Sequence, residues 1–463
     1  MQLIQKIKTK AKEKAILQAI NILPNLSDEN LIRFFSILGN LTTDKGLKKS
    51  VKEIENGFRQ GTPFSKLFKK ILKNSSKKSK EKLVKNLIVN YLLLGPDMRR
   101  KAKKELGFIP PAFLVISPSM RCNLRCIGCY AGEYTKKDDL PFEVVDRILK
   151  EAKELGMYFC VVSGGEPFFR EDLLKLWEKH NDMYFLVYTN GTLITKEMAK
   201  KLAELGNVTP AISVEGFEKE TDHRRGKGVY TKVNQAMDNL REAGVIFGFS
   251  VTPTKYNSDV IASEEFIDYY IKKGCTFGWF FQYIPIGLKP DVSLMSTPEQ
   301  RNHLREQILK FRQNKDIFMG DFWNDGPHVN GCLAGGRMYF HINCKGDVEP
   351  CVFVHFAVDN IKNKSIKQVL SSGFFAGIKK AYMHRENLLT PCIIIDQPQV
   401  LRGLVNKFHA YPTHPGAESI IQDPKIKKHL DKYSKEMEKL TRPIWEKEYK
   451  PDWSKRYKKL QQF

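Results

Sequence analysis

The 463-residue chain carries 76 Lys and Arg against 52 Asp and Glu, a formal net charge of +24, and is 42% hydrophobic and 11% aromatic. That length and apolar content suit two or more folded domains and exclude a disordered chain, and nine cysteines are too sparse for a disulfide scaffold. No run approaches 18 apolar residues, so no spanning helix is expected. Met1–Lys10 threads Lys through its apolar positions and lacks a signal-peptide core, which points to the cytosol.

The charge is uneven. Residues 1–110 hold 25 Lys/Arg and 9 Asp/Glu, a net +16, which leaves +8 for the rest. Residues 1–107 read as a basic helical extension. Asn25–Asn30 starts a helix over Leu31–Leu38 with Gly39 as its stop, and Thr62-Pro63 is an N-cap followed by Pro at the first helical position. Phe64, Leu67, Phe68, Ile71 and Leu72 then share one face, flanked by Lys66, Lys69, Lys70 and Lys73. This is the pattern of an interfacial helix, which would place the protein peripherally at the anionic inner face of a membrane. The same face would serve equally to pack on the next domain. Leu83–Leu94 is apolar on most sides and expected to be buried, and Pro110-Pro111 marks the junction.

Residues 108–325 alternate short apolar runs with amphipathic segments. Strands are expected at 112–117, 158–163, 184–188, 209–214, 246–253 and 276–283, with helices between them and a further one at 298–314. Buried strands separated by helices imply an α/β fold with a parallel sheet, open or closed as a βα barrel, and chemistry at the strands' C-terminal ends.

After the first strand come Cys122, Cys126 and Cys129, three thiols with no fourth ligand nearby: the first histidine is His180, and Cys160 lies inside a strand. Structural zinc needs four ligands, so three thiolates leave one position open. After the second strand come Ser163, Gly164, Gly165, Glu166 and Pro167. The third is followed by Thr189-Asn190-Gly191, and the fourth ends Ser213-Val214-Glu215-Gly216. The C-x3-C-x2-C spacing with GGEP and S-x-E-G at these offsets resembles the radical S-adenosylmethionine (SAM) enzymes. The resemblance implies a partial (βα)6 TIM-like barrel and a [4Fe–4S] cluster on Cys122, Cys126 and Cys129, with SAM on the open iron. It also implies an external electron donor of the flavodoxin or ferredoxin type. SAM contacts would fall to Tyr130, Ser163, Gly164, Gly165, Glu166, Asn190, Ser213 and Glu215. One position departs from the pattern: many members place an aromatic residue just before the third cysteine, where this chain has Gly128 and has Tyr130 after it. Gln282 and Tyr283, at the end of strand six, could face the substrate.

Residues 326–400 hold Cys332, Cys344, Cys351 and Cys392, with two alternating runs about Lys345-Gly346 that read as a hairpin. The layout C-x2-G…G-D-V-x-P-C resembles the SPASM or twitch extensions of radical SAM enzymes and implies one auxiliary Fe–S cluster, with Cys344 the least secure ligand and zinc the alternative occupant. A closer resemblance covers most of the chain: a group of bacterial and archaeal radical SAM proteins with a helical N-terminal extension and a segment like Gly320–Gly326. Within that segment Asp321 and Asn324 either face substrate or cap a loop. Residues 401–463 read as a charged helix at 426–439 and an arm packed through Ile444, Trp445 and Trp453.

Three functional readings follow. One is hydrogen abstraction from an unactivated C–H bond of a lipid or membrane-associated substrate. Another is modification of a peptide or protein. The third, from a different class, is a non-enzymatic Fe–S or zinc protein binding nucleic acid through its basic arm. The full set of SAM-type strand ends weighs against the third.

Overall fold

The computed structural model describes residues 27–40, 45–131, 138–383 and 386–460. The helical expectation for residues 1–26 lies outside them. α1 (Asp28–Asn40), α2 (Lys45–Gln60) and α3 (Pro63–Asn74) pack around one another. Leu31, Phe34, Phe35, Val51, Phe58 and Phe68 form their core, and the Phe35 ring meets those of Phe58 and Phe68. The apolar face of α3 is therefore occupied. Leu67, Phe68 and Leu72 are buried, Ile71 packs against Tyr184 and Ile246 of the next domain, and Phe64 alone stays 44% exposed. Lys69 pairs with Asp28, and Lys70 donates to the carbonyl of Ile271. The face that suggested an interfacial helix is spent on packing. No helix among the described residues is long and apolar enough to cross a membrane.

α4 (Lys77–Lys82) runs through a π-helical stretch (Leu83–Leu94) into α5 (Gly95–Leu106). Asn86 donates to the carbonyls of Asn181 and Met183, Asn90 donates to that of Asp182, and the Tyr91 ring lies on Phe159. This helix thus closes the N-terminal ends of two barrel strands.

The barrel strands are β1 (Phe113–Ile116), β2 (Phe159–Val162), β3 (Tyr184–Thr189), β4 (Val208–Val214), β5 (Gly248–Val251), β6 (Phe277–Phe280) and β7 (Phe318–Asp321). All pair in parallel and in sequence order, with Ile116 opposite Val162 and Phe280 opposite Asp321. α6 (Phe142–Glu154), α7 (Asp172–Lys179), α8 (Lys196–Leu205), α9 (Glu218–Arg225), α10 (Val229–Ala243), α11 (Glu264–Lys273) and α12 (Pro298–Asn314) lie between the strands. The six expected strands form, and a seventh, β7, takes in Gly320 and Asp321, residues read from sequence as part of a loop.

The expected hairpin also forms, as β8 (His341–Ile342) and β9 (Val348–Glu349). It is not a separate layer. β8 pairs in parallel with β1, so one nine-stranded sheet runs β7-β6-β5-β4-β3-β2-β1-β8-β9. Strand alternation sorts the residues: Val162, Val187 and Ile212 pack outward on Ile148, Trp177 and Met237, while Val115, Val161, Leu186 and Ala211 face inward. Beyond the sheet, α13 (Gly373–Met383), α14 (Pro398–Phe408) and α15 (Pro424–Ile444) build a second core, and a last helix, α16 (Lys450–Leu460), follows. The C-terminal arm packs through Ile444, Trp445 and Trp453, as the sequence suggests.

Candidate active site

A cavity of about 750 Å³ opens at the C-terminal ends of the strands and reaches into the barrel. Cys122, Cys126 and Cys129 line its mouth, with Tyr130, Ser163, Gly164, Gly165, Asn190 and Ser213. The cysteine loop is held from below by the GGEP turn. Gly165 N donates to Ser119 O and Glu166 N to Arg121 O. A Cβ on Gly165 would stand 2.2 Å from Arg121 O, and one on Gly164 would stand 2.2 Å from Ser119 O. The glycines are required because the backbone leading to the cysteines passes directly over them. Tyr130 Oη lies 2.8 Å from Ser163 Oγ, tying the end of the loop to the same turn.

Two of the residues expected at SAM, Glu166 and Glu215, lie off the cavity wall. Glu166 is fully buried and outside the cavity wall: its carboxylate accepts from Thr189 Oγ1 (2.7 Å), Asn190 N (2.7 Å) and Phe168 N (3.0 Å), lashing β2's turn to the end of β3. Burial pushes it up to about 7 despite those donors. Glu215 is buried too and accepts from Arg224 and Arg225 through Oε1, its Oε2 having no partner among the described residues, and it is these arginines that line the cavity. Burial opposes charge on Arg225, but Glu215 outweighs it and holds the guanidinium above its ordinary range. Asn190 contributes from the wall. Its Nδ2 donates to Asn123 Oδ1 (2.8 Å) and lies 3.7 Å from Cys122 Sγ, so it braces the loop.

Of the candidate substrate residues, Gln282 and Tyr283 line the cavity, and Gln282 Nε2 is a buried donor without a partner among the described residues. Tyr283 explains Gly128. At φ +66° that glycine lies under the Tyr283 ring, and a Cβ would stand 2.7 Å from its Cε2. The space of an aromatic residue before the third cysteine is filled from β6's end instead. Asp321 and Asn324 do not reach the cavity. Asn324 Nδ2 donates to Asp321 Oδ2, its Oδ1 accepts from Arg301 Nε, and Asp325 pairs with Arg312. These residues lock β7 to α12, and burial pushes Asp321 up to about 6. The loop-capping alternative is the one the geometry matches.

The downstream cysteines separate into three and one. Cys332, Cys351 and Cys392 lie close enough to Tyr382 to interact with it electrostatically. Cys344 lies at the hairpin turn among Met120, Tyr130 and Ala131, away from that group, and burial pushes its thiol up to about 12. Cys351 Sγ accepts from Tyr339 Oη (3.3 Å) and Phe353 N (3.4 Å), and Cys392 Sγ from Ile394 N (3.4 Å). In the first loop, Cys122 Sγ accepts from Leu124 N (3.4 Å), and Arg225 Nη1 reaches Cys126 Sγ at 4.0 Å. N–H and O–H donors aimed at sulfur stabilise thiolate charge and tune a cluster's potential. Among the described residues no group of three or more His, Cys, Asp or Glu closes to a single ion's ligand shell. Two sets of three cysteines, with donors at Cys122, Cys126, Cys351 and Cys392 and a Gln282 amide unpartnered among the described residues, fit iron–sulfur clusters and a polar ligand. Sequence reasoning missed Arg224, Arg225 and Tyr339. The first two could have been sought as partners for Glu215, whereas nothing in the sequence marks Tyr339.

Fold and site together define an iron–sulfur enzyme with a catalytic barrel and an auxiliary cysteine region. The radical SAM superfamily matches residues 116–267, and the SPASM iron–sulfur cluster-binding domain matches residues 332–393. Mycofactocin maturase MftC of Mycolicibacterium smegmatis is 30% identical over 301 residues, 61% of this chain and 72% of the maturase. Fe-coproporphyrin III synthase of Methanosarcina barkeri is 34% identical over 231 residues, 47% of this chain, which spans 57% of that synthase. Streptococcus suis SuiB bound to S-adenosylmethionine superposes with a TM-score of 0.53 at 20% identity, covering 61% of this chain and 70% of SuiB, a likeness of fold. The chain belongs to the radical SAM superfamily, with a SPASM-type auxiliary region. It is thus an enzyme class that uses a [4Fe–4S] cluster with SAM and an auxiliary Fe–S cluster.

Proposed function

We infer that the chain oxidises a C–H bond of a peptide or protein substrate, using a SAM-binding cluster on Cys122, Cys126 and Cys129 and one auxiliary cluster on Cys332, Cys351 and Cys392. The observation that carries this reading is the cavity itself, which runs from the first cysteine set to the ring of Tyr339, whose hydroxyl bonds Cys351. A substrate group in it would sit between two redox centres. When bound, the cluster with SAM supplies a 5′-deoxyadenosyl radical able to take hydrogen from an unactivated carbon.

The chain's own residues supply placement. Gly164 and Gly165 let the cysteine loop descend onto β2's end, and Asn190 and Arg225 hold donors at Cys122 and Cys126. Arg225, paired with Glu215, keeps positive charge beside the loop, where it suits a carboxylate or a negatively charged cluster. Gln282 offers an amide donor with no other use, and Tyr188, Phe281 and Phe322 wall the inner end with aromatic surface that excludes water. SuiB has also been solved with its precursor peptide SuiA, and the maturase relative favours a peptide substrate over a lipid. The packed face of α3 removes the reason for a membrane site. A cytoplasmic setting with a flavodoxin- or ferredoxin-type donor completes the reading.

The test is anaerobic reconstitution with dithionite and SAM. Replacing Cys122, Cys126 or Cys129 by Ala is expected to abolish 5′-deoxyadenosine, and full activity in all three variants would end the reading. Replacing Cys351 or Cys392 by Ala is expected to leave one four-iron cluster per chain in place of two. Unchanged iron in both would refute the auxiliary assignment.

A further inference from the structure

Tyr339 touches both the substrate cavity and an auxiliary sulfur. Its ring lines the cavity's inner end, stacked on Phe113 at 5.3 Å with an interplanar angle of 16° and edge-on to Phe322 at 6.1 Å. Its hydroxyl donates to Cys351 Sγ at 3.3 Å. The ring is held from several sides. Tyr339 is 3% exposed, and its backbone N–H is fixed to Leu333 O and its carbonyl to Gly336 N, inside the turn that begins at Cys332. Tyr382 also lies near these thiols but does not line the cavity.

We propose that Tyr339 couples the substrate cavity to the auxiliary cluster, as the electronic path between them and as the hydrogen-bond donor that poises the cluster to accept an electron. This rests on the two-cluster reading above. With the auxiliary cluster bound, a substrate-centred radical would give up one electron to it across the Tyr339 ring and the O–H···S bond. The resulting cation would lose one proton to water, leaving a closed-shell product, and the electron would pass on to an oxidised protein carrier of the flavodoxin or ferredoxin type. A donor to a cluster sulfur stabilises the more negative, reduced state and so raises the reduction potential. Tyr339 is a positioning residue for the cluster and a wall for the substrate.

The experiment uses the full chain with both clusters reconstituted. In wild-type protein reduced to place an unpaired electron on the auxiliary cluster, pulsed electron paramagnetic resonance in H₂O and D₂O is expected to show a strongly coupled exchangeable proton. Tyr339→Phe should remove the hydroxyl proton's coupling and leave those of the Phe353 and Ile394 amides, lower the auxiliary midpoint potential and raise the ratio of 5′-deoxyadenosine to oxidised product several-fold. Wild-type protein without the exchangeable proton overturns the inference even if the variant fails to hold its cluster. Two clusters with an unmoved potential in Tyr339→Phe overturn it alone. Wild-type protein that binds iron for one cluster overturns both this inference and the reading beneath it.

Discussion

Asp396→Ala is expected to be among the most damaging single changes outside the cavity. Arg301, on α12, is fully buried, and its guanidinium is spent on five bonds. Nη1 donates to Asp396 Oδ1 (2.6 Å), and Nη2 to Asp396 Oδ2 (3.2 Å), Trp323 O (3.2 Å) and Leu389 O (3.1 Å), while Nε donates to Asn324 Oδ1 (3.0 Å). Asp396 Oδ2 also accepts from Cys392 N at 3.0 Å, so the same carboxylate fixes the loop of an auxiliary cysteine. Removing one member of a buried ion pair costs about 3–5 kcal/mol, because the other charge stays behind in a dry interior. The stranded Cys392 N–H adds about 1–3 kcal/mol more where water cannot reach it. Anaerobic denaturant unfolding of the apoprotein, with iron per chain after reconstitution, reads both effects. The variant should unfold at least about 3 kcal/mol sooner and lose auxiliary iron preferentially. Arg301→Met with Asp396→Leu should recover the ion-pair part of the loss, while the Cys392 N–H and the carbonyls of Trp323 and Leu389 stay unpaired. A single variant within about 0.5 kcal/mol of wild type, the range of an ordinary surface change, would refute the argument.

Further outcomes follow from the site. Gly165→Ala would put a methyl 2.2 Å from Arg121 O, and a forced backbone shift of that kind costs about 1–3 kcal/mol. SAM affinity by equilibrium binding should fall with it, and an unchanged affinity would show that the turn does not set the cysteine loop. Gly128→Tyr would restore the aromatic residue common before the third cysteine. Here it meets the Tyr283 ring at 2.7 Å from a left-handed backbone, so cluster iron in the first loop should drop, and wild-type iron content would contradict the account. Glu166 gives a pH signature. Its folded value, raised from 4.5 to about 7, means that the folded chain keeps a proton the unfolded chain has released. Its contribution is full below about 4.5 and is lost as pH rises through about 7, an amount near 3 kcal/mol at 1.36 kcal/mol per unit. Glu166→Gln should flatten that part of the stability curve between pH 5 and pH 8, and parallel curves for variant and wild type would refute it.

Much of this protein is legible in order along the chain. The six strand positions fall close to where short apolar runs place them, because a strand buried on both faces must be apolar throughout and a crossover helix must separate parallel neighbours. β7 was hidden because Phe318–Asp321 ends in a glycine and an acid and so breaks the apolar run, and it is a strand through pairing with β6. The side-chain directions of Glu166 and Glu215 were equally hidden. A motif fixes which residues stand at a strand's end, whereas burial decides which way a carboxylate turns, and both found fixed donors inside the protein.

The amino-acid sequence determined the class of chemistry, since three thiols at gaps of three and two, followed by GGEP and S-x-E-G, are local patterns whose meaning needs no long-range contact. It also set the uneven charge and the amphipathic face of α3, but not what covers that face. Only the tertiary structure decided that this face packs inward, that Cys344 stands apart from the other three downstream thiols, and that Tyr339 joins the cavity to Cys351. Those outcomes depend on residues tens to hundreds of positions apart meeting in a dense core, where each side chain's place is set by the room its neighbours leave.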